Sequence, residues 1–174
     1  IIEESAVKVN YRLNRFTPDL KLQCTVSLKG KVVSEICLPL LETYNRFSNL
    51  VPEKEGQFTV KIPQAQLWSP ETPLLYDFKF QILKNNFILD EVDTYVGLRK
   101  VSTQDGKFYL NNQPYFLRMV LDQGYWPDGI YTPPSIEDIK NDVEMTKALG
   151  FNTARKHQKI EDPYYYYYCD KLGL

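Results

Sequence analysis

Two short stretches of this chain hold the residue types that handle polar ligands. Asp122-Gln123-Gly124-Tyr125-Trp126 follows the apolar run "YFLRMVL", and Arg155-Lys156-His157-Gln158 follows "FNTA". Carboxylate, amide, guanidinium and imidazole are planar hydrogen-bonding groups, and Tyr125 and Trp126 add flat apolar faces. Sugars need both, because their hydroxyls want planar polar partners while their C–H faces stack on rings. Arg155 closes a short apolar strand, so its charge needs a partner. That partner is an acidic active-site group, a substrate hydroxyl, or a buried carboxylate that only ties the structure together. His157, the one histidine, stands two residues later on the same strand face. It either meets a sugar hydroxyl in a pocket or sits on an exposed loop. Trp126 is either a stacking platform or packing beneath its loop.

The elements that position these residues change character near Arg99. From Ser5 to Gly97 apolar and polar residues alternate, as in "AVKVNYRLN" and "DLKLQCTVSL". Turn signals fall at Lys29-Gly30-Lys31 and Lys84-Asn85-Asn86, and a polar loop precedes "GQFTVKIP". Six or seven short strands result, which indicates an antiparallel, immunoglobulin-like β-sandwich over residues 1–98. Residues 99–174 begin with two hairpin signals, Asp105-Gly106 and Asn111-Asn112. "YFLRMVL" reads as a strand covered on both faces. A helix then starts at Ser135, with Asp138 three residues on as an acidic stand-in for a capping box, and Gly150 suits its exit. "FNTARKH" is a second strand. Asp162, Pro163 and Gly173 bound a second helix, in which Tyr164–Tyr168 span more than one turn and so cannot all face one side.

Strand, helix, strand, helix at this spacing predicts two parallel βα units. A closed eight-stranded barrel takes about 250 residues, so residues 99–174 are expected to be a truncated barrel and the chain a fragment. Open sheet edges lead to the expectation of dimerisation, strand exchange or disorder beyond about residue 120.

Composition narrows the function classes. With 21 basic and 22 acidic residues the formal charge is −1, and the scattered basic residues give nothing to recruit nucleic acid or an anionic membrane. No apolar run approaches the roughly 20 residues of a membrane span. The start, "IIEESAVKV", lacks a basic n-region, so no signal peptide is expected here and the compartment stays open. Cys24, Cys37 and Cys169 lack metal-ligand spacing. Cys24 and Cys37 are read as buried thiols, with a disulfide between them as the minority reading. No metal or organic cofactor is expected.

Several motifs, kept in order over residues 57–174, carry a resemblance. They are Leu67 through Pro73 with Leu75 and Tyr76; Gly97-Leu98-Arg99; Gly106, Phe108, Leu110, Asn111, Asn112, Pro114, Leu117 and Arg118; and "DIKNDVEMTKALGFNTAR". Together they resemble glycoside hydrolase family 2, the β-galactosidase, β-glucuronidase and β-mannosidase group. The resemblance implies a retaining β-glycosidase whose sandwich precedes a (β/α)8 barrel, with two catalytic glutamates on barrel strands downstream of Leu174. Glu137, Glu144 and Glu161 lie on helices or helix starts and are not those glutamates. Chemistry in a barrel sits at the carboxyl ends of its strands, which makes Asp122, Gln123, Tyr125, Trp126, Arg155 and His157 the candidate substrate-binding residues. Trp68 is expected to pack in a domain core.

The chain departs from the galactosidase branch at two places. Gln123 replaces a pocket histidine within Leu121–Pro127, and Lys156-His157-Gln158 follow Arg155 where that branch continues to Tyr-Pro. The sugar is therefore not transferred. The rival expectation is a non-catalytic carbohydrate-binding or protein-interaction module that uses the tyrosines and Trp126.

Overall fold

In the first part of the chain, period-two alternation becomes paired strands. The computed structural model describes residues 1–14, 17, 19–40 and 54–174, so the polar loop expected before "GQFTVKIP" lies mostly outside the described residues. Strands β1 (Ala6–Leu13) and β4 (Lys54–Lys61) pair antiparallel. Strands β2 (Leu20–Leu28), β3 (Lys31–Pro39), β5 (Tyr76–Lys84) and β6 (Phe87–Val96) form a second antiparallel sheet in the order β3-β2-β5-β6. Leu20, Leu22 and Leu40 are buried, and Tyr11, Leu13 and Phe58 pack on them together with Phe80 and Ile82. Side chains from both sheets thus enclose one core, the arrangement of a β-sandwich. Strand β6 is the outer strand of its sheet, and Phe87, Ile88, Leu89 and Val92 on it are all more than half exposed.

Cys24 is buried as expected, but Cys37 corrects the sequence expectation. All three thiols are free, with Cys24 buried and Cys37 exposed. Cys24 sits opposite Ile36, whereas Cys37 sits opposite Gln23. Directly opposed residues share a sheet face and neighbours in a strand alternate, so the two thiols lie on opposite faces and cannot be bridged.

Backbone contacts divide the chain into one unit of residues 1–65 and 76–98 and a second of residues 66–75 and 99–174. The second unit opens with β7 (Val101–Gln104), β8 (Lys107–Leu110) and β9 (Gln113–Pro114), joined by the two expected turns. Asp105, Gly106, Asn111 and Asn112 all have positive φ, as a tight hairpin turn demands. Then come β10 (Met119–Asp122), α1 (Ile136–Ala148), β11 (Thr153–Lys156) and α2 (Pro163–Leu172). Strands β10 and β11 are parallel. Ile139 and Val143 of α1 pack with Tyr165 of α2. Tyr165 is buried while Tyr164 and Tyr166 are exposed, so the tyrosine run does divide between faces.

Trp68 is buried within this second unit rather than in the sandwich. Its indole N–H donates to the Asp170 carbonyl at 2.6 Å, and the Arg99 guanidinium stacks 4.5 Å from its ring while pairing with the Asp170 carboxylate at 2.8 Å. Strand β10 also differs from expectation: it is four residues long, and Phe116, Met119 and Leu121 in or before it are exposed. Among the described residues β10 pairs only with β11. The helices α1 and α2 pack on each other, and nothing described covers the opposite face.

Candidate functional site

The strand ends of β10 and β11 lie side by side. Asp122 and Lys156 are their last register pair, and the His157 backbone N–H continues the ladder by donating to the Asp122 carbonyl at 2.9 Å. Side-chain alternation then sorts the neighbouring residues onto two faces. Gln123, Arg155 and His157 fall on the face with Met119 and Leu121; Asp122 and Lys156 fall on the other.

On the open face the Gln123 amide nitrogen lies 3.1 Å from His157 Nδ1. Arg155 is exposed, and its side chain makes no ion pair or hydrogen bond among the described residues. Among the described residues no carboxylate ties it down. Tyr125 is exposed, with its ring 4.7 Å from that of Tyr131 and the two hydroxyls 2.7 Å apart. The open face thus presents a cation, an imidazole and an amide, a set suited to oxygen-rich ligands, while the Tyr125–Tyr131 pair borders the loop next to the Lys159 ammonium.

Charge is concentrated on the other face. The Lys156 ammonium lies above the Tyr165 ring at 4.1 Å, hydrogen-bonds the Asp122 carboxylate, and stands 2.7 Å from Glu161 Oε1. The contact with Oε1 is an ion pair without hydrogen-bond alignment. Lys159 Nζ approaches Glu161 Oε2 at 3.1 Å and donates to the carbonyls of Gly124 (2.8 Å) and Tyr131 (3.1 Å). Burial pulls the Lys156 ammonium down, but the Asp122 hydrogen bond and the charges of Asp122 and Glu161 outweigh it, so its pKa lies above the usual lysine value. Asp142 of α1 faces the same cluster. Burial first, then the Asp122 charge, raises its carboxyl above the usual range, and Lys156 offsets this only in part. Trp126 lines a cavity of about 60 Å³ here, with Asp122, Asp142, Lys156 and Glu161. Its backbone pairs with Ile130 in both directions, at 2.8 and 3.1 Å.

Gly124 is required where it stands. Its φ is +67°, and a Cβ there would lie 2.2 Å from Glu161 Oε1. The sequence reading put Gln123 and His157 at separate strand ends, which the structure brings within 3.1 Å, and it gave no role to Lys156, Lys159, Glu161 or Asp142. One signal was available: Lys156 must point away from Arg155 and His157, and a lysine facing a helix layer needs carboxylates.

A second recess of about 460 Å³ has apolar walls that include Trp68, Phe108, Leu110, Leu117, Tyr165 and Leu174. Among the described residues no three His, Cys, Asp or Glu side chains converge on a metal position, and no helix is long and apolar enough to cross a membrane.

Comparison with known proteins gives four concordant findings. The model of the glycosyl hydrolases family 2 matches residues 3–99. The chain is 29% identical over 147 residues to a β-galactosidase of Pseudoalteromonas haloplanktis, covering 81% of this chain and 14% of that protein. It is 35% identical over 122 residues to a putative β-glucuronidase of Formosa agariphila, covering 68% of this chain and 11% of that protein. A crystal structure of a glycosyl hydrolase family 2 member from Bacteroides cellulosilyticus superposes on 98% of this chain and 22% of its own, with a TM-score of 0.77 and 21% identity. The chain therefore spans only 11–14% of the length of the curated relatives it matches here.

Proposed function

Because this chain belongs to the glycosyl hydrolases family 2, we propose that it is part of a retaining β-glycosidase that cleaves O-glycosidic bonds. In this reading β10, α1, β11 and α2 are the first two units of a (β/α)8 barrel, and the face bearing Met119, Leu121 and Arg155 turns towards the barrel interior. Gln123, Tyr125, Arg155 and His157 bind the sugar, while Asp122 and Trp126 shape the loop from beneath. The observation that carries it is the parallel β10–β11 pair, which ends, on the face its helices leave open, in the Gln123–His157 pair and in Arg155, whose side chain has no partner among the described residues. Active sites of such barrels gather at the carboxyl ends of the strands.

The chemistry itself belongs to other residues. A retaining enzyme needs two carboxyl groups about 5–5.5 Å apart, and Arg155 and His157 supply neither an acid/base pair nor a nucleophile. Their part is to hold sugar oxygens while glutamates on further barrel strands protonate and attack. The test is an assay with chromogenic β-glycosides. The 174-residue chain releases no aglycone, and a longer protein carrying the remaining strands does. Specific turnover by the chain alone would overturn the placement of the acid pair.

A further inference from the structure

The cluster on the helix side touches no ligand face, yet it grips the loop that does. Glu161 is buried, with its side chain 6% exposed, and its two oxygens are divided between two lysines. Through Oε1 it faces Lys156, which holds Asp122, whose Oδ1 accepts the Gly124 N–H at 2.7 Å. Through Oε2 it faces Lys159, which takes the Gly124 carbonyl at 2.8 Å. Both peptide groups of Gly124 are thus tied to one carboxylate, and Gln123 is the residue immediately before it. Glu161 is itself fixed, because its backbone N–H donates to the Tyr166 hydroxyl of α2 at 3.0 Å.

We propose that Glu161 is a positioning residue that, through Lys156 and Lys159, sets the Gln123 amide against His157 and so fixes which imidazole nitrogen carries the proton. An amide nitrogen donates and does not accept. With Gln123 Nε2 at 3.1 Å from Nδ1, Nδ1 of the neutral ring is the acceptor and the proton resides on Nε2. The ring then offers a ligand one fixed donor, suited to a hydroxyl or carboxylate oxygen, alongside the Arg155 guanidinium. The use of that donor rests on the sugar-binding reading. The tautomer does not, because it is measured with no sugar present.

His157 is the only histidine, so nitrogen-15 NMR of the imidazole in the full chain reports on this site alone. At a pH where the ring is neutral, the native chain is expected to show widely separated acceptor Nδ1 and donor Nε2 resonances. In Glu161→Gln and in Lys159→Met the two should move towards each other as the tautomers mix, and Lys159→Arg should restore the separation. Circular dichroism melts identify variants that remain folded, and Lys159→Met decides the matter should Glu161→Gln unfold. A native ring protonated on Nδ1 overturns the proposal outright. So does an unchanged native-like signal in a folded Lys159→Met chain. Failure of sugar binding with the native tautomer intact would count against the glycosidase reading and leave this one standing.

Discussion

Single residues at the strand ends divide by which way they point, and that division has a measurable consequence in acid. Asp142 faces Asp122 and Glu161 as well as Lys156, and burial with the Asp122 charge holds its proton above the usual carboxylate range. The folded chain therefore keeps this proton to a higher pH than the unfolded chain, where aspartate titrates near about 3.9. Its contribution is most favourable below that value and is lost as pH rises through the raised folded pKa. Asp142→Asn is expected to melt at a higher temperature than the native chain at pH 7, with the gap closing by pH 3; calorimetric melts across that range would show it. An equal gap at both pH values would mean that the carboxylate is not under the repulsion described. Arg155 and His157 were legible as a pair because period-two alternation puts them together. Lys156 was not, because a lysine between two polar residues looks like solvent-facing charge until the helix layer behind it is known.

At the scale of elements, local chemistry sets the boundaries. Ser135 accepts from the Asp138 backbone N–H at 3.1 Å, and its hydroxyl donates to the Asp138 carboxylate at 2.6 Å. Ser135→Ala should cost about 1 kcal/mol of stability, read as a lower denaturant midpoint with an unchanged slope. No change would mean that α1 is held by its packing alone. The turns at Asp105-Gly106 and Asn111-Asn112 were equally legible, since few residues accept positive φ in succession. What the sequence misplaced depends on long-range contacts. Trp68 was expected in a domain core and is buried, but the unit it serves follows from its indole bond to Asp170, 102 residues away. Cys37 reads as core because its strand is apolar, but its register partner Gln23 places it outside. No local pattern encodes either partner.

At the scale of the whole molecule, the family and the sandwich were both readable. The motifs around Leu67–Tyr76 and Gly106–Arg118 keep their order, and six alternating strands with turn signals between them admit few other arrangements. The face proposed to bind substrate was only partly readable. Met119 and Leu121 are exposed on the face that carries Arg155 and His157, so polar donors are set among apolar side chains. The most direct measurement is kcat/KM, on the best chromogenic β-glycoside, of Arg155→Ala and His157→Ala in a longer protein carrying the strands that the proposed barrel requires. Hydrogen bonds to charged groups are worth about 1.5–3 kcal/mol, and each 1.36 kcal/mol of barrier is tenfold in rate. Each variant is predicted to lose about 10- to 100-fold with its melting temperature unchanged. Native kcat/KM in both would contradict the assignment of this face to substrate.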